Sequence, residues 1–169
     1  MREILKTNFK KDLENRRMYV TRDFSAPVDR VWRAWTTADL LDRWFAPKPW
    51  RAETKSMDFR VGGHWLYCMV GPAGERHWGR IDYRVIDPGI SFEADDSFCD
   101  ENGVRDDQLP AMRWHVAFEL EDGVTKVRIT ITFANLEAME KIVEMGFEQG
   151  FTASNENLDA LLAEETQVG

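Results

Sequence analysis

Residues 24–47 read Phe-Ser-Ala-Pro-Val-Asp-Arg-Val-Trp-Arg-Ala-Trp-Thr-Thr-Ala-Asp-Leu-Leu-Asp-Arg-Trp-Phe-Ala-Pro and predict two short helices. Pro27 ends the preceding β-prone stretch, residues 18–24, and suits the first turn of a helix. Four apolar residues then recur at helical spacing: Val28, Val31, Trp32 and Trp35. Thr36 with Asp39 fits a capping box for a second helix. The apolar side of that helix is formed by Leu40, Leu41, Trp44 and Phe45.

The hydrophobic period changes to two between residues 51 and 133, which predicts a series of β-strands. The candidate strands are 52–59, 64–70, 77–87, 90–98, 111–121 and 124–133. Short turns rich in Gly, Pro and Asn separate them, so we expect antiparallel hairpins. In strand 111–121 the core face is Met112, Trp114, Val116, Phe118 and Leu120, and the solvent face is Arg113, His115 and Glu119. The irregular stretch from Asp100 to Pro110 is expected to be a mobile rim.

The pattern returns to helical after Asn135, a predicted N-cap, and continues to about residue 164. This predicts one long C-terminal helix. Gly146 and Gly150 lie inside it, where each costs on the order of 1 kcal/mol relative to alanine. A kink or close helix–sheet packing would explain them, and so would space for a ligand. The order of elements predicts an α+β, helix-grip fold, in which a curved antiparallel sheet wraps around the long C-terminal helix.

The same segments resemble a known superfamily, the START and birch-pollen-allergen-like (SRPBCC) proteins. Within it, they are similar to the family related to the C-terminal domain of the activator of the heat-shock-chaperone ATPase. The matching residues are Arg22, Phe24, Ala26, Pro27, Val31, Trp32, Ala34, Trp35, Thr36, Trp44 and Pro47. Residues 58–65, with their diglycine, and Gly150-Phe151 followed by Leu158 and Leu161 resemble two further motifs. The resemblance covers about residues 17–164 and implies the helix-grip fold with an internal cavity, but not one activity.

The length suits one ligand-binding domain over residues 17–165, with residues 1–16 as an N-terminal extension. A net charge of −8 without a basic stripe argues against a nucleic-acid partner. The N-terminus does not resemble a signal peptide and no segment is apolar enough to span a membrane, so we expect a cytoplasmic protein. Cys68 and Cys99 are expected to be reduced, with one bridge between them as the alternative. A homodimer is a further expectation that the sequence leaves open.

The chain contains 7 tryptophans, and large rings either fill a core or line an apolar cavity. Strand parity and the implied cavity predict a ligand site between the sheet and the last helix. Its apolar walls are predicted to be Trp65, Tyr67, Trp114, Phe118, Phe147 and Phe151. Trp44 and Trp78 are predicted at its mouth. Plain core packing is the alternative for each ring.

Polar candidates are fewer. Arg22 shares parity with buried neighbours, and its partner is either a structural carboxylate or the carboxylate or phosphate of a ligand. His64 and His77 flank one hairpin and either hydrogen-bond across it or move a proton. No metal-type spacing, cofactor motif or nucleophile motif occurs, so we expect neither a metal nor a cofactor. The acidic residues Glu93, Asp95, Asp96, Asp100, Glu101, Asp106 and Asp107 predict a solvated face.

Three functions follow from this interpretation. The first is binding of a small hydrophobic or amphipathic molecule in the internal cavity, with Arg22 or His64 as polar anchor. The second is a cofactor-free, cyclase- or hydrolase-like enzyme for a small aromatic or polyketide-like substrate, with His64 or His77 as proton shuttle. The third, regulation of a chaperone ATPase, is suggested by the family name. The residues before the first predicted strand leave no room for the activator's additional N-terminal domain, which argues against regulation. No nucleophile motif supports catalysis, so binding is preferred.

Overall fold

A computed structural model describes the backbone of residues 6–168 and the side chains of residues 6–164. Within this part of the chain lie eight strands and four helices. The strands are β1 (Asn8–Asp12), β2 (Arg17–Phe24), β3 (Arg51–Met57), β4 (His64–Val70), β5 (Arg76–Asp87), β6 (Ser91–Cys99), β7 (Met112–Glu121) and β8 (Val124–Phe133). The helices are α1 (Val28–Thr36), α2 (Ala38–Trp44), α3 (Leu136–Glu144) and α4 (Phe147–Val168).

The eight strands form one antiparallel sheet in the order β1-β2-β8-β7-β6-β5-β4-β3. The sheet curves around α4, which contributes four buried apolar side chains to the core: Phe151, Leu158, Leu161 and Leu162. The register shifts between Thr54 and Ser56 in β3 and between Tyr83 and Val85 in β5. Such bulges bend a strand and increase its twist. The predicted α+β helix-grip fold is confirmed.

The predicted strands agree with the observed ones to within two residues because the alternation of apolar and polar side chains is regular there. In β8, for example, Val127, Ile129 and Ile131 are buried and Arg128 is exposed. In β7, one side chain departs from the predicted pattern. Leu120 was expected on the core face of β7 but is 68% exposed, because it lies near the end of the strand, beyond the core.

The N-terminal residues differ from the expected extension. Asn8–Asp12 form β1, an edge strand that pairs with β2 from Asn8 opposite Thr21 to Asp12 opposite Arg17. Phe9 packs edge-on against Phe147 of α4, with 6.3 Å between ring centroids. This segment is therefore part of the sheet, whereas residues 1–5 lie outside the described part of the chain.

The two predicted short helices are present, but the predicted capping box is wrong. Thr36 is the last residue of α1, and its hydroxyl donates to the Trp32 carbonyl at 2.9 Å. The N-cap of α2 is Thr37, whose side chain makes no capping hydrogen bond. The hydroxyl at position 36 thus closes the first helix instead of opening the second.

The predicted single C-terminal helix is two helices. Asn135 caps α3 as expected, since its side chain accepts a hydrogen bond from the Ala138 amide at 2.8 Å. The chain then turns at Gly146, whose φ of +89° is a left-handed conformation that favours glycine and commonly ends helices. Gly146 therefore lies between α3 and α4, and only Gly150 is inside a helix.

The stretch from Asp100 to Pro110 folds against the outer face of the sheet. Arg80 donates to the Gly103 carbonyl at 2.7 Å, and Arg105 donates to the Asp82 carboxylate at 2.8 Å. Arg80 also binds the same carboxylate through two hydrogen bonds of 3.0 and 2.6 Å. The loop expected to form a mobile rim thus lies on the face of the sheet opposite α4.

Candidate ligand cavity

A cavity of about 250 Å³ lies between the concave side of β4–β7 and the junction of α3 with α4. Five of the residues predicted to bind a ligand line it: Tyr67, Trp78, Trp114, Phe147 and Phe151. An apolar cavity of about 150 Å³ can hold benzene. The space is therefore large enough for an aromatic ring with a short chain attached.

A second, smaller cavity of about 20 Å³ lies deeper in the core. It is lined by Trp65, Ile81 and Tyr83, and it shares Phe45, Asp96 and Trp114 with the main cavity. This space is enough for about one water molecule. The three shared residues form the boundary between the two cavities.

The main cavity reaches the surface beside the turn between α3 and α4. Met145, at the end of α3, lines the cavity and is 53% exposed. His77 lines it from the opposite side and is also exposed. The left-handed turn at Gly146 brings Met145 and Phe147 to this opening, so the helix break shapes the mouth.

Helix α4 positions the segment that follows α2. The Ser154 hydroxyl donates to the Phe45 carbonyl at 2.7 Å, and the Asn157 side-chain amide donates to the Ala46 carbonyl at 2.9 Å. These bonds hold Phe45 and Pro47 in the cavity wall. The Cβ of an alanine at position 150 would lie 3.7 Å from the Pro47 Cγ, which is ordinary van der Waals contact. Gly150 thus leaves the space next to Pro47 open.

Tyr67 forms the floor of the cavity on β4. Its ring stacks on Trp65 with a centroid distance of 4.1 Å and meets Phe45 edge-on at 5.6 Å. The ring also crosses Gly79 of β5, where an added Cβ would lie 2.7 Å from the Tyr67 hydroxyl oxygen and 2.8 Å from its Cζ. Position 79 must therefore lack a side chain for Tyr67 to lie flat.

Asp96 of β6 faces the boundary of the two cavities. Burial raises the pKa of its carboxyl to about 7, and the nearby indole N–H of Trp114 opposes part of that increase. The carboxyl makes no ion pair with any residue in the described part of the chain. Burial also raises the pKa of Tyr67 well above its usual range, and the Asp96 charge adds to the effect. The aromatic surroundings of Asp96 therefore favour the protonated form of its carboxyl.

The Trp114 indole nitrogen is buried without a hydrogen-bond partner among the described residues. It lies near enough to Asp96 to lower the pKa of the carboxyl, but the two do not meet normal hydrogen-bond geometry. The ring itself packs edge-on against Phe147 at 5.9 Å and Phe151 at 5.6 Å. An unpartnered donor therefore lies beside a carboxyl that lacks a counter-ion.

The acidic stretch predicted a solvated face, and Asp96 does not belong to it. Its neighbours Glu93 and Asp95 do face outward, where both pair with Arg113 at 3.8 and 2.9 Å. Asp96 has the opposite parity. It shares its face with Phe92, Ala94 and Phe98, and this alternation is the signal that identifies it as inward-facing.

Besides His64, three predicted site residues line neither cavity. Arg22 is buried, but its guanidinium binds Asp159 of α4, so its partner is a structural carboxylate. Trp44 is fully buried, and its indole donates to the Ala34 carbonyl at 2.9 Å, so it is not at the mouth. Phe118 packs against Trp32, with 5.2 Å between centroids, in the core beneath α1.

Two more predicted residues have altered positions. Trp65 lines the smaller cavity rather than the main one, and its indole donates to Thr54 at 2.9 Å. Trp78 lies on β5 beside the main cavity, but its ring is on the outer face of the sheet. There the Lys55 Nζ and the Arg76 Cζ lie 5.7 and 5.6 Å from the ring centroid. A ligand in the cavity would meet the backbone of Trp78 more readily than its ring.

His64 and His77 do not meet across their hairpin. His64 pairs with Asp82 and His77 pairs with Met69, at opposite ends of the β4–β5 ladder. The His64 Nε2 lies 3.1 Å from the Ser56 hydroxyl, whereas the His77 ring packs near Trp50 at 5.4 Å. Direct proton exchange between the two histidines is excluded by this register, and only His77 reaches the cavity.

Residues 6–168 were also expected to contain no metal site. No group of three or more His, Cys, Asp and Glu side chains there could hold a metal ion. Both cysteines are free. They lie on either side of Trp78 in neighbouring strands, about 9.5 Å apart by strand spacing, which is too far for a disulfide.

No described helix is long and apolar enough to cross a membrane.

A family model described as "Activator of Hsp90 ATPase homolog 1-like protein" matches residues 25–163. The chain belongs to this family. Its fold places it in the SRPBCC superfamily, as the sequence resemblance implied. No protein of curated function matches the chain significantly. The family is thus established, while its description names an activator homologue rather than a ligand.

Solved structures agree with this assignment. Protein Ms6760 from Mycobacterium smegmatis is 31% identical, with a TM-score of 0.86 over 93% of this chain and 96% of that one. A protein from Arthrobacter aurescens is 35% identical, with a TM-score of 0.87 over 93% and 91%. CalU16 from Micromonospora echinospora is 16% identical, with a TM-score of 0.59 over 98% and 90%, and is similar in fold alone.

Proposed function

We propose that this protein binds a small hydrophobic or amphipathic molecule in the main cavity. The observation that carries the proposal is the aromatic cavity itself, which opens to the surface between Met145 and His77 and has Asp96 as the one carboxyl in its described wall. Ligand sites in proteins are typically concave and mostly apolar, with a few polar groups that orient the ligand. Asp96 takes the anchoring role that the sequence suggested for Arg22 or His64.

The cavity is supported by features that a tightly packed core would not need. Gly150 lies in the interior of α4 next to open space, where alanine would be accommodated and would favour the helix. Gly79 leaves room for the Tyr67 ring, and a hydrogen bond from Ser154 of α4 fixes the backbone at Phe45. A preformed site of this kind loses little conformational entropy when a ligand enters.

Substitution of Gly150 tests the proposal. We expect Gly150→Leu to fill the cavity and abolish binding of butylbenzene, while Gly150→Ala, whose methyl group fits beside Pro47, keeps it. Binding is measured as the ligand-dependent rise in melting temperature, which follows RT ln(1 + [L]/Kd). Circular dichroism verifies that both variants fold. Equal ligand shifts in wild type and folded Gly150→Leu would contradict the proposal.

A cofactor-free enzyme for a small aromatic or polyketide-like substrate is the second candidate. The observation that favours it is the Asp96 carboxyl, whose pKa of about 7 suits proton transfer near neutral pH. Asp96 then replaces His64 and His77 as the proton-transfer group. Incubating candidate substrates with wild type and Asp96→Asn, and analysing both by mass spectrometry, separates turnover from binding.

Chaperone ATPase regulation rests on the family name alone and stays a prediction. The cytoplasmic location and the homodimer also stay predictions. Size-exclusion chromatography with light scattering measures the oligomeric state directly.

A further inference from the structure

We propose that the molecule bound in the main cavity is a hydrophobic amine, held as an ammonium cation against Asp96 and the rings of Trp114 and Tyr67. This inference rests on the proposed function, because it assigns the chemical class of the ligand in the same cavity. Three observations carry it: a carboxyl without an ion-pair partner among the described residues, the aromatic rings around it, and a described cavity wall that contains no lysine or arginine.

The carboxyl constrains what can fill the space. A purely apolar ligand such as butylbenzene or pentylbenzene fits the rings but offers Asp96 no hydrogen bond in return, so it should bind less tightly than a ligand with a donor group. An anionic ligand would be repelled by the carboxylate. An ammonium group supplies both a counter-ion and hydrogen-bond donors, and the donors fit a carboxylate that accepts only.

The rings around Asp96 favour the same class of ligand. Trp114 lines both cavities next to the carboxyl, Tyr67 forms the floor, and Phe45 completes the boundary. Aromatic faces attract cations within about 6 Å, tryptophan most strongly, and the attraction grows when water is excluded. A carboxylate next to aromatic rings combines charge pairing with cation–π contact, while the rest of the cavity takes an apolar chain.

Few other groups near Asp96 titrate or carry charge. They are Tyr67 on β4, Tyr83 on β5 and Cys99 at the end of β6, with His77 at the mouth. From α3 and α4, the lining residues are uncharged, as are Phe45 and Pro47 after α2. A protonated His77 would itself repel a cation, so its contribution to pH dependence must be separated from that of Asp96.

Three ligands of similar shape test the inference: 4-phenylbutylamine, 4-phenylbutan-1-ol and pentylbenzene. At pH 8 we expect the amine to bind wild type at least tenfold more tightly than the alcohol, measured by calorimetry. We expect Asp96→Asn to lose this preference and to keep binding the alcohol. Asp95→Asn, one residue away on the outer face with Arg113, should behave like wild type.

Below pH 7, amine affinity should fall by up to tenfold per pH unit as Asp96 takes up a proton, while alcohol affinity changes little. If amine affinity falls with pH in the same way in His77→Gln, the pH dependence comes from Asp96 and not from His77. Equal affinity for amine and alcohol at pH 8, or an amine preference that survives in Asp96→Asn, would overturn the inference but leave the cavity function intact. If none of the three ligands binds, the proposed function itself fails.

Discussion

Arg22 on β2 and Asp159 on α4 form a two-pronged ion pair, with Nη1–Oδ1 and Nη2–Oδ2 distances of 3.0 and 2.5 Å. The arginine side chain is 2% exposed and the aspartate 36%. The same guanidinium also donates to the Asp23 carbonyl and the Thr7 hydroxyl. The pair joins the last helix to the sheet, which explains why an arginine with inward parity contributes to the fold rather than to the cavity.

Breaking this pair should destabilise the fold without changing ligand binding. Removing one member of a buried pair typically costs about 3–5 kcal/mol, because the other charge stays buried. Since Asp159 is partly exposed, we expect Asp159→Ala to lower the unfolding free energy by about 2–3 kcal/mol. The double variant Arg22→Met/Asp159→Leu should recover most of the loss. Urea denaturation measures both, and a loss of cavity binding in folded Asp159→Ala would show that Arg22 acts on the ligand after all.

Gly79→Ala tests how the floor of the cavity is built. The new methyl group would lie 2.7 Å from the Tyr67 hydroxyl oxygen, which is closer than real Cβ contacts allow, so the ring must move. Such overpacking typically costs about 1–3 kcal/mol, and the displaced ring should also weaken butylbenzene binding. Thermal melts with and without the ligand measure both effects. The double variant Tyr67→Leu/Gly79→Ala should be more stable than Gly79→Ala, because the clashing ring is gone. If it is not, the clash between the new methyl group and Tyr67 is not what destabilises Gly79→Ala.

The raised pKa of Asp96 should make the folded protein less stable as the pH rises. An aspartate in the unfolded chain titrates near 3.9, whereas burial raises the folded-state pKa of Asp96 to about 7. Between these values the unfolded chain releases the proton and the folded protein keeps it. This group's contribution to stability is therefore fully present below about pH 4, falls as the pH rises to about 7, and is constant above that.

We therefore expect Asp96→Asn to become more stable relative to wild type as the pH increases from 4 to 8. A shift of about three units corresponds to roughly 4 kcal/mol at most. Urea unfolding at four pH values measures the trend. Asp95→Asn, which loses contacts to Arg84 and Arg113 on the outer face, should show no such gain. A pH-independent difference between Asp96→Asn and wild type would mean that the surroundings of Asp96 do not raise its pKa.

The sequence predicted the sheet well because side-chain parity is local: a strand such as β8 alternates regularly, and its register follows from short turns. It failed where the outcome depended on backbone conformation. Gly146 has the same helical spacing whether the helix continues or breaks, and only its left-handed φ distinguishes the two. Thr36 could likewise close one helix or cap the next, and the position of the boundary decided between them.

For the site, parity identified which rings face α4 but not which of them are packed against other rings. Trp44 and Trp114 are both buried and aromatic, and they differ in whether α1 or empty space lies beside them. Asp96 was missed for a different reason. Its acidic neighbours indicate a solvated stretch, whereas the alternation with Ala94 and Phe98 indicates an inward-facing side chain, and the alternation is correct.

Replacing Trp44 and replacing Trp114 should have different effects on stability. Trp44 donates its indole N–H to the Ala34 carbonyl, whereas the Trp114 indole nitrogen has no partner among the described residues. Trp44→Phe therefore leaves a buried acceptor unpaired, while Trp114→Phe removes an unpaired donor. Because an unsatisfied buried group costs about 1–3 kcal/mol, we expect Trp114→Phe to be the less destabilising change by about that amount.

Trp114→Phe should also act on Asp96. The indole N–H opposes the increase that burial causes in the pKa of the carboxyl, so its removal should move that pKa above 7. Carbon-13 NMR titration of the Asp96 carboxyl in wild type and Trp114→Phe measures the shift, and Trp78→Phe, whose ring lies on the outer face, is the matched control. If the Asp96 titration is unchanged in Trp114→Phe, and this variant loses as much stability as Trp44→Phe, the indole does not interact with the carboxyl. The ammonium site would then have to rely on Tyr67 and Phe45.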